Sequence, residues 1–136
     1  MNVVVDWQQG GNVINLTRYL YDAAQNAKDH GSPEWQERIR FFNAGSIAPY
    51  IEDASFVKLR EVAVNYDVPA NLRNKFGMAT RSMRLGLQGR NLAMWAPYTG
   101  LDPEVANFGA AAVRNNLDIA PYPPSRAFFF TLSVGF

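Results

Sequence analysis

The sequence predicts an all-β chain whose antiparallel strands are of the kind that build a transmembrane β-barrel. Three observations predict it. Four segments alternate apolar and polar residues with a period of two. Two of the connections between them are long and one is short. The second to fourth strand-like runs reach roughly 11–13 residues, as long as a tilted membrane strand needs and about twice the usual soluble strand.

The first alternating segment, residues 2–8, reads NVVVDWQ, with Val3, Val5 and Trp7 on one side and Asp6 and Gln8 on the other. The second, residues 55–68, places Val62, Val64, Tyr66 and Val68 opposite Glu61, Ala63, Asn65 and Asp67. Its upper part is out of phase, because Val57 and Leu59 share parity with the polar set. Either a bulge near Arg60–Glu61 restores the phase, or the upper part projects beyond the membrane, where alternation is not enforced. The third segment, residues 80–95, sets Met83, Leu85 and Leu87 against Ser82, Arg84, Gly86, Gln88 and Arg90. The fourth, residues 126–136, sets Phe128, Phe130, Leu132, Val134 and Phe136 against Phe129, Thr131, Ser133 and Gly135.

The connection over residues 69–79 is a compact turn, with Pro69 suited to a first helical position and Gly77 to a helix stop. The connection over residues 9–54 holds two helices. One runs from about Asn15 to Gln25, its apolar face made by Leu16, Leu20, Ala23 and Ala27. The other starts at Ser32 as N-cap with Pro33 at N1 and runs to about Phe42. Residues 96–125 carry two proline clusters and the run NFGAAAVRNN, and read as irregular. Long loops at one end and a short turn at the other match the extracellular loops and periplasmic turns of outer-membrane barrels.

Alternation alone does not say which face is wet. In a soluble sandwich the apolar face packs on a core; in a barrel it meets lipid and the polar face lines the lumen. A lumen suits the row of Arg84, Gln88 and Arg90, and interface girdles suit the aromatics Tyr66, Trp95, Tyr98 and Phe136 near strand ends. A soluble β-rich carbohydrate-binding module, with its aromatics in a core or stacked on sugars, stands as the alternative. Trp35, in the long extracellular loop, is the tryptophan best placed for contact with a ligand or partner.

Composition narrows the function. Thirteen Lys+Arg against twelve Asp+Glu leave a net charge of +1, which makes no electrostatic case for nucleic acid. The absence of cysteine excludes thiolate metal sites, disulfides and thiol nucleophiles. No run of apolar residues is long enough for a transmembrane helix, and residues 1–7 lack the features of a signal peptide. His30 is the single histidine and has no ligand-spaced partners, so no metal or cofactor is expected and no catalytic constellation is present. Glu52–Asp53 and the pair Asp102 and Glu104 are acidic but lack a calcium-loop spacing; hydrogen bonds to backbone at strand ends suit them better.

More specific motifs lie around the second strand. The run YIEDASFVKLREVAVNYDVP resembles the signature of the SusC/RagA family of TonB-linked outer-membrane proteins, on Tyr50, Glu52, Asp53, Ala54, Ser55, Phe56, Lys58, Leu59, Arg60, Tyr66 and Pro69. Asn91-Leu92, Tyr98 and Gly100-Leu101-Asp102-Pro103-Glu104 resemble its next block, and Tyr122-Pro123-Pro124-Ser125-Arg126 with the strand that follows resembles its last. WQQGGNVINLTR is similar to an earlier strand–loop segment. The resemblance covers nearly the whole chain and implies a large barrel of about 22 strands, plugged in its lumen. The chain would be the C-terminal piece, its last four strands. It would lack the plug and the TonB-contacting segment. The whole protein would import nutrient oligomers, glycans or peptides, with a SusD-like surface lipoprotein as lid and the TonB complex as energy source. Partners would be the rest of the barrel, the plug, the barrel-assembly machinery and outer-membrane lipid. Phe128, Phe130, Leu132, Val134 and Phe136 would carry the assembly signal, since the last strand is an open edge until the barrel closes.

Overall fold

The structure is a computed structural model and describes residues 1–75, 81–104, 116–122 and 124–135. The chain divides into two compact units. One comprises Met1–Trp7, Val57–Trp95 and Pro124–Phe136, the other Gln8–Phe56 and Ala96–Pro123.

The first unit is a four-stranded sheet in the order β1 (Asn2–Gln8), β4 (Phe56–Asp67), β5 (Ser82–Trp95), β7 (Ala127–Gly135). The β4–β5 and β5–β7 ladders are antiparallel. The turn between β4 and β5 contains a short helix, α3 (Ala70–Lys75), which starts one residue after Pro69; Gly77 lies outside the described residues.

Register turns the alternation of the sequence into two faces. Val62, Val64 and Tyr66 sit opposite Gly89, Leu87 and Leu85. Gly89, Leu87, Leu85 and Met83 sit opposite Phe128, Phe130, Leu132 and Val134. Partners in a ladder share a face, so one side of β4, β5 and β7 is apolar across all three strands. The other side carries Glu61, Ala63, Asn65 and Asp67, then Arg90, Gln88, Gly86 and Arg84, then Ala127, Phe129, Thr131 and Ser133. Gly86 leaves a close fit there: a Cβ would stand 2.9 Å from Asn65 Oδ1, which would have to swing aside, and 3.4 Å from Thr131 Cβ.

The register shifts between Leu59 and Glu61, where a bulge was expected, but the extra residue belongs to β5. Asn91 and Leu92 together oppose Arg60, and Asn91 has a φ of +53°. Asparagine tolerates this left-handed position better than most residues. Its Nδ2 donates to the Ser125 carbonyl at 3.1 Å, tying the bulge to the approach to β7. Because β4 itself gains no residue, Val57 and Leu59 stay on the side of Glu61, and the expected phase repair within β4 does not occur.

The second unit holds β2 (Asn12–Asn15), α1 (Leu16–Ala23), α2 (Pro33–Asn43), a single 3₁₀ turn (Ala48–Tyr50), β3 (Ile51–Asp53) and β6 (Leu117–Asp118). β2 is the centre of a small sheet, antiparallel to β3 and parallel to β6. The segment read as irregular therefore contributes a strand, paired across the chain; residues 105–115, with most of NFGAAAVRNN, lie outside the described residues. Asn15 caps α1 by accepting from Arg18 N at 2.8 Å, and Ser32 caps α2 by accepting from Trp35 N at 3.1 Å, with Pro33 following.

The face that α1 buries is not the expected one. Leu20 and Ala23 are exposed, and the buried residue is Asp22. Asp22 and Tyr19 are three residues apart and share a face. Tyr19 packs edge-on against Phe42 and Tyr50, with ring centroids 4.9 and 5.5 Å away. An ion pair with α2 and these ring contacts hold that face inward against the aliphatic stripe.

Candidate functional site

The chemistry-bearing residues fall into three places. The first is the apolar face of the four-stranded sheet. Phe128 is 72% exposed and Phe130 is 70% exposed, and Val64, Tyr66, Leu87, Leu132 and Val134 are exposed beside them. The buried core residues of the described chain, Val13, Tyr50, Ala54, Phe56 and Tyr98, belong to the second unit, with Phe56 at its boundary as the first residue of β4. Of the residues expected to carry an assembly signal, Phe128, Phe130, Leu132 and Val134 thus share one exposed face, at the strand that ends the sheet. Phe136 lies outside the described residues.

The second place is the opposite, polar face. Arg84 donates to Asp67 through Nε at 2.5 Å and Nη2 at 3.3 Å, across the β4–β5 ladder. Arg90 lies 3.3 Å from Glu61 on the same ladder, and its guanidinium stands 5.6 Å from the centre of the Phe129 ring. Gln88 is half-buried between them. Both arginines therefore hold a neighbouring strand's carboxylate, which fixes their direction and moderates the charge of the face.

The third place is the second unit, where the family-like residues converge. Glu52 accepts from Thr99 N at 2.8 Å, from Thr99 Oγ1 at 2.7 Å and from Asn15 Nδ2 at 3.0 Å. Asp53 accepts from Ser55 N and Oγ, at 2.8 and 2.6 Å, and these bonds, the side-chain one first, hold its carboxyl below the usual range. Asp102 accepts from Glu104 N at 2.9 Å. The acidic pairs thus act as clamps on loop backbone, as expected for them.

Tyr98 corrects its expected place in an interface girdle. It is buried with Val13 and Ala54, and its hydroxyl donates to Asp118, which also receives the Thr17 hydroxyl. Burial and then the bond to Asp118 push the phenol upward. Gly100 must be glycine, because a Cβ there would overlap the Tyr98 ring. Trp95 and Tyr66 remain exposed near strand ends.

A second polar cluster fastens the helices. Arg38 grips Asp22 with Nε–Oδ2 at 2.7 Å and Nη2–Oδ1 at 3.0 Å, and Nη2 also reaches Asp29 at 2.9 Å. Tyr50 donates to Asp22 at 3.1 Å. The Asp22 bonds raise the guanidinium of Arg38 further, against the effect of burial. Burial first, then the Asp22 charge, push the Tyr50 phenol up to about 12. Burial raises Asp29, but Arg38 outweighs it and leaves the carboxyl below its ordinary value. Trp35, the expected contact residue, sits in α2, half-buried and edge-on to His30 at 4.4 Å. Sequence reasoning missed this cluster, since a lone Asp22 on a helix and an Arg38 on the next carry no local signal of pairing.

No family model matches the chain. The TonB-dependent receptor P3 of Formosa agariphila is 33% identical over 153 residues, covering all of this chain and 15% of the receptor. The TonB-dependent receptor P26 of the same organism is 32% identical over 91 residues, 64% of this chain and 9% of the receptor. The chain therefore spans less than a sixth of the length of these relatives. Among solved structures, the RagAB peptide importer in its open-open state matches 64% of this chain and 9% of its own, with 26% identity and a TM-score of 0.51. The RagAB peptide transporter covers 98% of this chain and 15% of its own at a TM-score of 0.66; its 20% identity makes that a likeness of fold. With Tyr50 to Phe56 and Tyr98 to Glu104 of the signature in the second unit and Lys58 to Tyr66 on an antiparallel strand of the first, this chain is a segment of the TonB-dependent receptor family, of the SusC/RagA kind.

Proposed function

We propose that this chain is the C-terminal barrel segment of a TonB-dependent outer-membrane transporter that takes up nutrient oligomers, glycans or peptides. It performs no catalysis. Its four strands complete a barrel of about 22 strands, its last strand carries the assembly signal, and residues 9–54 and 96–125 form two extracellular loops. Arg84, Gln88 and Arg90 face the lumen. A SusD-like surface lipoprotein covers the loops, and the TonB complex acts through the plug, outside this segment.

One observation supports the reading: β4, β5 and β7 share a continuous apolar face whose large side chains, Phe128, Phe130, Leu87 and Leu132 among them, are exposed, while the described core residues lie in the other unit. A soluble sandwich would bury that face. An exposed row of this kind needs a cover, and lipid is the one that a polar, ion-paired opposite face complements.

The test is an immunoblot of fractionated native cells with an antibody against residues 96–124. The expected result is a band several times larger than 15.2 kDa in the outer-membrane fraction, shifting on heating as barrels do. A 15.2 kDa band in a soluble fraction would overturn the reading and make the soluble binding module the leading idea. Deleting Phe136 from the full receptor should lower its yield in the outer membrane; unchanged assembly would remove the signal role of the last strand.

A further inference from the structure

The second unit contains a pocket of about 950 Å³ that none of the clamps explains. Its size is at the upper end of cavities that enclose a drug-sized ligand, ~300–1,000 Å³. One wall is the outer face of α1, with Leu20 and Tyr21. Another is the loop at Leu101. The turn after α1, with Lys28 and Asp29, and Ala120 also line it.

Several of the polar groups that line it are already spent on one another. Asn15 is bonded to Glu52 and Arg18 N, and Thr99 to Glu52 and Arg18. Thr17 is bonded to Asp118 and to Ala120 N. Among the described residues the Asn26 amide and the Tyr21 hydroxyl are left without such a bond, fewer partners than a neutral glycan, recognised through many hydroxyl hydrogen bonds, would use. What the pocket does offer is apolar: Leu20, Tyr21 and Leu101 are 48%, 51% and 56% exposed around the concavity. The inversion of α1, which buries Asp22, is what turns Leu20 and Tyr21 outward into it.

The rim supplies charge. Arg18 is shared between Glu52 and Asp29, at 3.7 Å from each. Asp29 is also held by Arg38. Lys28 lines the pocket and has no ion-pair partner among the described residues. One lining residue is conformationally constrained: Ala120 has a φ of +45°, and its N–H is held by Thr17 Oγ1 at 2.6 Å. A non-glycine residue keeps such a conformation only where its surroundings over-determine it, and such positions cluster at functional sites.

We infer that this pocket is a peptide subsite, which seats one large apolar side chain between Leu20, Tyr21 and Leu101 and holds a neighbouring carboxylate at Lys28. The inference rests on the importer reading above and selects peptide over neutral glycan within it.

The test uses the full-length receptor that carries this segment, purified in detergent. Binding is read by fluorescence anisotropy of a labelled tetrapeptide containing phenylalanine and a C-terminal aspartate. The wild-type receptor should bind it, and a matched peptide with serine in place of phenylalanine should bind at least tenfold more weakly. Lys28→Glu and Leu101→Ser should each weaken the phenylalanine peptide at least tenfold; both residues lie at the surface, so neither change disturbs the buried clamps. Absence of binding at millimolar peptide, equal binding of the two peptides, or binding unaffected by both variants would overturn the subsite. So would competition by neutral maltohexaose that Leu101→Ser abolishes. The heat shift of the same preparation is recorded alongside. A receptor that shifts but fails these binding tests refutes the pocket alone, and one that does not shift refutes the barrel.

Discussion

Replacing Arg38 by methionine would test what holds the loop unit together. Asp22 is 0% exposed, and Arg38 supplies two of its three hydrogen bonds, at 2.7 and 3.0 Å. Methionine keeps the length of the stem but removes the charge. The carboxylate is then buried with the Tyr50 hydroxyl as its remaining partner in this cluster. Removing one member of a buried ion pair costs about 3–5 kcal/mol, chiefly because the other charge is left uncompensated. Removing both is far milder, so Asp22→Leu combined with Arg38→Met should recover most of the loss. The converse single change, Asp22→Leu, should cost less than Arg38→Met, because Arg38 keeps Asp29, itself partly exposed, at 2.9 Å. The assay is proteolysis of residues 9–54 in the folded receptor under conditions where cleavage follows the population of the open loop. At about 1.4 kcal/mol per factor of ten, Arg38→Met should accelerate cleavage by roughly a hundredfold or more. An acceleration below tenfold, or a double variant no slower to cleave than the single, would refute the argument that a stranded carboxylate is the cause.

The remaining predictions use other parts of the chain. Leu87→Arg, on the apolar face between Val64 and Phe130, should cost ~2–4 kcal/mol of folding into liposomes if that face meets the bilayer midplane. Ser133→Arg, on the opposite face, should leave the heat-shifted fraction unchanged; equal effects would contradict the assignment of faces. Because the folded pKa of Tyr50 is raised from 10 to about 12, its contribution is complete below pH 10 and is lost as pH rises through about 12. Digestion of the loop unit by subtilisin should accelerate over that interval. Tyr50→Phe should flatten part of the rise, and Tyr50→Phe with Tyr98→Phe more of it, since the Tyr98 phenol is raised too; an unaltered alkaline profile would argue against both. Gly100→Ala should displace the Tyr98 ring and weaken its bond to Asp118, read as faster amide exchange at Thr17 and Ala120. Exchange that is unchanged there would mean that the 99–101 loop yields without moving Tyr98.

Much of this structure is local and was legible as such. A period of two forces residues onto alternate faces whatever the partner strand, so the apolar sets of residues 62–66, 83–87 and 128–134 declare a two-faced sheet without coordinates. The caps at Asn15 and Ser32 are equally local, because a side chain reaches the backbone N–H three residues on in any helix. What tertiary structure decided is non-local. Whether Leu20 or Asp22 faces inward depends on Arg38 and Tyr50, which lie 16 and 28 residues away, and a buried ion pair with ring packing overrode the aliphatic stripe. Tyr98 reads as an aromatic at a strand end until Asp118, brought alongside by a parallel pairing of two short strands, claims its hydroxyl. The bulge lies in β5 at Asn91, whereas the out-of-phase residues that prompted the expectation lie in β4 and stay out of phase, so its place depended on the partner strand. Backbone period and capping depend on neighbours a few residues apart; the direction in which a buried charge points depends on which distant group arrives to meet it, and that is a property of the assembled chain.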